Sequence, residues 1–113
     1  MERLTQRTPL KRLRGVLETG ETVHVVATGT HKRFMGTDGL TVLTDRRLMF
    51  VTAREDRDVF IRLGDIRSVD ASTGRLYLKL TVLHGKQSTT IASLDPDRGE
   101  QIVAMLRRAI CDT

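Results

Sequence analysis

The chain has 113 residues, of which 39% are hydrophobic, and its formal net charge at neutral pH is +5. This length suits one domain over residues 1–113, and no apolar run approaches the roughly 18 residues that a membrane-spanning helix requires. A single cysteine, Cys111, excludes an internal disulfide, and the N-terminus lacks a signal-peptide pattern, so we expect a cytoplasmic protein. The basic balance favours polyanionic partners.

A short helix is predicted first, over residues 9–17. Leu10, Leu13 and Leu17 recur at spacings of three and four, which places them on one helical face. Lys11, Arg12 and Arg14 are expected elsewhere on the surface. Gly15 weakens the helix because glycine carries the largest backbone entropy cost.

Seven short strands are predicted next, between residues 21 and 94. They are located by the alternation of apolar and polar residues and by the turn residues that separate these runs. The predicted strands are residues 21–28, 39–44, 46–53, 59–63, 66–72, 75–83 and 86–93. Gly29 is expected to end the first strand, and a loop over residues 30–39 follows it. Adjacent strands joined by short turns imply antiparallel pairing.

The sixth strand has the clearest alternation, and the seventh the least clear. Leu76, Leu78, Leu80 and Val82 share one face of the sixth strand, and His84–Gly85 is predicted to be a tight hairpin turn. The inward face of the seventh strand stays open between two registers, one with Thr89 and Ile91 and the other with Thr90, Ala92 and Leu94.

The C-terminal helix is predicted over residues 96–111. Asp95 is a suitable N-cap, and Pro96 suits the first helical position. An apolar stripe then comprises Ile102, Val103, Leu106, Ala109 and Ile110. A helix with one such stripe packs against a sheet.

Three motifs occur in the order typical of one family: GETV at 20–23, GLTVLTDRRLMF at 39–50 and VFIRLGDIRSV at 59–69. The sequence therefore resembles the bacterial pleckstrin-homology-like (PH-like) domains over about residues 10–110. The resemblance implies a mainly β fold, a PH-like barrel of seven antiparallel strands in two near-orthogonal sheets capped by the C-terminal helix. It also implies a non-enzymatic binding module. Phosphoinositide-binding relatives carry basic residues in the second strand, and GLTVLT has none, which argues against that ligand.

Two turns within these motifs have a structural interpretation. The turn Thr44–Arg47 lacks glycine, which favours a type I turn in which Asp45 bonds the local backbone. In the segment 63–66, Gly64 permits an unusual backbone angle and Asp65 can satisfy exposed amides, so the chain can turn from one sheet into the other.

The strongest candidate binding site is the loop after the first strand, which comprises His31, Lys32, Arg33, Phe34 and Met35. Cations beside large apolar side chains suit a membrane interface or the groove of a partner. The alternative is that Phe34 and Met35 pack onto the barrel. Arg46 and Arg47 are weaker candidates, because successive turns of an up-and-down sheet lie at opposite ends.

No catalytic residue, metal site or cofactor is predicted. The three histidines lie in different elements, and Asp95, Asp97 and Glu100 are explained by helix capping more simply than by calcium binding. The expected partner is a protein or an anionic lipid surface, which would place the chain at the membrane periphery. Pairable strand edges also predict a homo-oligomer. Nucleic-acid binding is the alternative, although only four aromatic residues could stack on bases.

Overall fold

The computed structural model describes residues 2–31 and 37–111, which form a mainly β fold. The elements follow the predicted order, with α1 at Glu2–Val16, β1 at Val23–His31, β2 at Thr37–Thr44, β3 at Arg47–Thr52, β4 at Val59–Arg62, β5 at Ile66–Thr73, β6 at Leu78–His84, β7 at Gln87–Leu94 and α2 at Pro96–Cys111. The antiparallel strands and both helices are confirmed. Within this part of the chain, neither helix has the length and apolarity that crossing a membrane requires.

The seven strands form one continuous sheet in the order β4-β3-β2-β1-β7-β6-β5, where two near-orthogonal sheets were predicted. The join is short, because β1 pairs with β7 only at Thr30↔Ala92 and His31↔Ile91. These pairs exist because β1 continues past Gly29, where the prediction ended it. The free edges of the sheet are β4 and β5.

Gly29 lies inside β1 because strands and side chains approach closely there. A Cβ atom at this position would come within 2.7 Å of Cγ2 of Ile91 and 2.9 Å of Oγ1 of Thr41. The glycine therefore permits close packing within the sheet instead of ending the strand.

The loop between β5 and β6 is longer than predicted. The Gly74 amide donates a 2.8 Å hydrogen bond to the Tyr77 carbonyl, and β6 begins only at Leu78. Leu76 is therefore 73% exposed, and its predicted place on the inward face is wrong. The alternation of leucines in the sequence begins at Leu76, but the loop occupies that position and the strand begins two residues later.

The register of β7 combines both predicted alternatives. Leu78 pairs with Leu94 and Leu80 with Ile91, so three intervals on β7 oppose two on β6. Ser93 takes up the extra residue with a φ of 61°. Thr89, Ile91 and Leu94 consequently all point inward and are buried. The predicted hairpin before β7 is confirmed, with Gly85 at a φ of 59°.

The turn between β4 and β5 is a single 3₁₀ turn over Leu63–Asp65, closed by a bond from the Ile66 amide to the Leu63 carbonyl. Gly64 does not have a positive φ, so the predicted unusual backbone angle is wrong. The turn needs only ordinary 3₁₀ geometry.

The main core lies between the inner face of the sheet and α2. Ile102, Val103 and Leu106 of α2 are buried in it, and the helix packs on β5 with further contacts to β1 and β6. The predicted cap is confirmed, because the Asp95 carboxylate accepts a 3.0 Å hydrogen bond from the Arg98 amide.

A second core lies on the outer face of the sheet, beneath α1. Its buried residues are Leu13, Leu40, Val42, Met49 and Val51. The interior strands β2 and β3 are therefore buried on both faces. The prediction had given the first helix only a short leucine face. Leu10 does not belong to that face, since it is 48% exposed.

An ion pair holds α1 to the connection between β3 and β4. The Arg12 guanidinium pairs with Asp58, whose side chain is only 2% exposed, and also donates a 2.6 Å hydrogen bond to the Thr52 carbonyl. Asp58 in turn accepts a 2.7 Å bond from the Thr52 amide. Arg12 is thus a structural residue and not the solvated cation that was predicted.

The burial of α2 predicts the cost of truncating its central residue. Leu106→Ala would leave a cavity beneath the helix and should lower the free energy of unfolding by about 2 to 5 kcal/mol. Urea denaturation measures this, with Gln101→Ala on the exposed face as the control. A loss below about 0.5 kcal/mol, the range of surface substitutions, would contradict the docked helix.

Candidate functional site

The predicted binding loop leaves the sheet between the ends of β1 and β2. The backbone pairs His31↔Thr37 and Thr30↔Asp38 close the two strands, and Thr30 Oγ1 donates a 2.8 Å hydrogen bond to Asp38. Lys32, Arg33, Phe34 and Met35 lie outside the described residues. The structure thus defines the frame from which the loop leaves.

His31 is an internal residue of this frame. It is 3% exposed, and its ring lies 5.7 Å from that of Phe50, tilted by 58°. Because its ring packs in the interior, His31 anchors the end of β1, and a role in ligand binding remains a prediction.

Arg46 and Arg47 lie at the turn between β2 and β3, at the far end of β2 from the loop. The structure therefore does not bring them together with His31, the described residue of the predicted loop site. Thr44 Oγ1 caps this turn by accepting 3.1 Å hydrogen bonds from the amides of Arg46 and Arg47. Asp45, predicted for that role, instead accepts a 2.9 Å bond from the Thr22 amide.

The most densely bonded charge at this end is Glu21, whose side chain is fully buried. Arg47 donates to both of its carboxylate oxygens at 2.9 Å, and Thr44 Oγ1 and the Glu18 amide add bonds of 2.7 and 2.9 Å. The bond from Arg47 is the largest cause that lowers the pKa of Glu21 to about 2. Arg47 also donates a 2.6 Å hydrogen bond to the Val16 carbonyl at the end of α1.

Glu18 forms a second, more exposed ion cluster. It accepts hydrogen bonds from Arg62 at 2.7 Å and from Arg46 at 3.2 Å, which lower the pKa of its carboxyl group. The Arg47 guanidinium also lies 5.2 Å from the centre of the Phe60 ring. Both predicted arginines are therefore occupied by carboxylates of the same chain, and a role in ligand binding remains a prediction.

The sequence contained a signal for the Glu21–Arg47 pair that was not used. Glu21 belongs to the GETV motif and Arg47 to the TDRR turn, and the two motifs meet in this ion pair. Glu18 and Asp58 lie outside the three motifs, so no motif indicated their pairs with Arg46, Arg62 and Arg12.

The remaining chemical candidates stay apart. In the part of the chain that the structure describes, no three His, Cys, Asp or Glu residues form a group that could hold a metal ion. Nε2 of His84 lies 2.8 Å from Thr89 Oγ1, and His24 is exposed on β1.

The ion pair of Glu21 and Arg47 predicts an acid-dependent loss of stability. The folded pKa of Glu21 is depressed, so its contribution is present above the ordinary pKa of about 4.3 and is lost as the pH falls toward 2. Glu21→Gln should cost about 3 kcal/mol at neutral pH, because Arg47 would keep a partly buried charge without a counterion. Urea unfolding at several pH values should show the difference from the wild type shrinking below pH of about 4, unlike Glu100→Gln. An equal difference at all pH values would contradict the assignment.

The comparisons with known proteins agree with this fold. The family model for the bacterial PH domain matches residues 17–108, which include all seven strands and most of α2 but not α1. No curated protein matches the sequence. Since the matched segment covers most of the chain, this protein belongs to the bacterial PH domain family.

Proposed function

We propose that this chain is a non-enzymatic binding module that docks on an anionic membrane surface through the loop between β1 and β2. The observation that supports this most is the rigid frame of that loop. Paired backbone, the Thr30–Asp38 bond and the packed ring of His31 fix both ends of a five-residue segment, residues 32–36. Binding residues are commonly carried on such loops above a rigid scaffold.

The neighbouring connection at this end adds little net charge. Gly39 of β2 pairs with Thr52, so the connection after β3 lies beside the start of β2. There Asp56 lies 3.4 Å from Arg54 and 3.8 Å from Arg57, and Glu55 balances the second arginine. Lys32 and Arg33 would therefore supply most of the attraction at this end, while Phe34 and Met35 would supply apolar contact.

Charge reversal in the loop tests this function. Lys32→Glu with Arg33→Glu should weaken co-sedimentation with anionic phosphatidylglycerol vesicles by more than tenfold, since each cation contributes about 1 kcal/mol. Phe34→Ala should also weaken binding, but with less dependence on salt, because it removes apolar area. The matched control is Arg107→Glu with Arg108→Glu, the same charge change on the exposed face of α2.

The wild type should bind anionic vesicles at low ionic strength and ignore neutral phosphatidylcholine. If it ignores both, docking on a membrane is wrong, and a protein partner becomes the favoured ligand of this loop.

Self-association is a separate prediction from the free edges of the sheet. β5 contributes eight residues to one edge, and all but Ile66 and Val69 are exposed. Such an edge can pair with another strand. Light scattering over a wide concentration range should detect a dimer or larger homo-oligomer, and a constant monomer mass would contradict the prediction.

A further inference from the structure

The positive charge of this protein is concentrated in α1. Five basic residues and one acidic residue give this helix a formal charge of +4, out of +5 for the whole chain. The helix precedes the segment that matches the family model, residues 17–108. The seven strands and α2 together with their connections are thus close to neutral in net charge, and most of the net positive charge belongs to this helix.

Four of these cations recur along one line of the helix. We call this line the basic stripe; its members are Arg3, Arg7, Lys11 and Arg14. Spacings of four, four and three residues keep these positions on one side of an α-helix, over a length of roughly 16 Å at 1.5 Å per residue. Lys11 and Arg14 are exposed, and Leu10 beside them is half exposed.

The opposite side of α1 is fixed to the sheet. Pro9 and Leu13 are buried, and Arg12 is held by Asp58. The helix can therefore present Lys11 and Arg14 without unfolding or detaching, so little conformational entropy of the backbone is lost when a ligand binds.

We propose that the basic stripe is a second docking site, and that its ligand is the anionic surface of a lipid bilayer. Exposed cations such as Lys11 and Arg14, on a helix that packs against the sheet, fit a flat surface of negative charge. Leu10 beside the row can leave water at the level of the headgroups, as the apolar residues of interfacial helices do. A nucleic-acid duplex offers phosphates but no apolar layer for that leucine.

The proposal deepens the proposed function, since both need an anionic membrane, but it concerns different residues. Arg12 donates a hydrogen bond to the Thr52 carbonyl, at the end of the sheet where β1 and β2 are joined by the predicted loop. The Val16 carbonyl accepts a hydrogen bond from Arg47, near the β2–β3 turn at the other end. The helix thus runs along the outer face between the two ends. It can act together with the loop or without it.

Neutralising the described part of the stripe tests the proposal in the full chain. Lys11→Gln with Arg14→Gln should weaken partitioning onto phosphatidylglycerol-containing vesicles on the order of 30-fold at low ionic strength. Arg107→Gln with Arg108→Gln removes the same charge from exposed positions on α2 and should weaken it less than about threefold if position matters. Leu10→Ala should weaken binding with little change in salt dependence. Unchanged thermal unfolding of each variant shows that the fold is intact.

The other outcomes separate the two proposals. Equal losses in the α1 and α2 variants would mean that only net charge acts, and would overturn the stripe. Loss on changing Lys32 and Arg33 without loss on changing Lys11 and Arg14 would also overturn the stripe but support the loop. Binding to a DNA duplex in place of vesicles, lost in the α1 variant, would overturn the bilayer as the ligand. No binding to vesicles at all would overturn both.

Discussion

The fold depends on β2 and β3 being apolar on both faces. Leu43, Leu48 and Phe50 face the main core, while Val42 and Met49 face outward, and all five are almost fully buried. Two strands of this kind need a cover on each side, because an exposed outer face would leave a large apolar patch in water. The rest of the sheet and α2 provide the inner cover, and α1 provides the outer one. The segment before the family-matched region is therefore part of the packed structure.

Charged residues connect these layers at two points in the C-terminal half of α1. Arg12 reaches Asp58 and the end of β3, and Arg47 reaches both Glu21 and the last carbonyl of the helix. Buried ion pairs add little net stability compared with apolar packing, but they penalise alternative arrangements in which one charge loses its partner. In this protein they fix the position of the C-terminal half of α1 on the sheet. They also join the segment before β1 to the β2–β3 turn. Arg47 is thereby paired within the chain, whereas Lys11 and Arg14 on the helix surface are exposed.

The features that could be predicted from the sequence are those determined by residues close together in the chain. Alternation located the strands, and Asp95 and Pro96 located the start of α2, because capping acts over a few residues. Predictions failed where distant segments decided the outcome. Gly29 continues a strand because Ile91 approaches it, and Asp45 bonds Thr22 instead of its own turn. The seventh strand could not be assigned one register because the pairing with β6 shifts by one residue at Ser93, near the end of the strand. At the site, residue types suggested cations, but only the structure distinguished arginines paired with carboxylates from those exposed on α1.

This bacterial PH domain has an N-terminal helix that covers the outer face of the sheet and carries most of the net positive charge. The central claim is that residues 9–16 of α1 are part of the folded core, and native-state hydrogen exchange tests it most directly. The amides of Leu13, Val16 and Leu17 should be protected by an opening free energy close to that of the β3 amides, because both require the outer core to open. Exchange of these three amides near the rate of an unfolded peptide, with β3 still protected, would show that α1 is not packed on the sheet and would contradict the account.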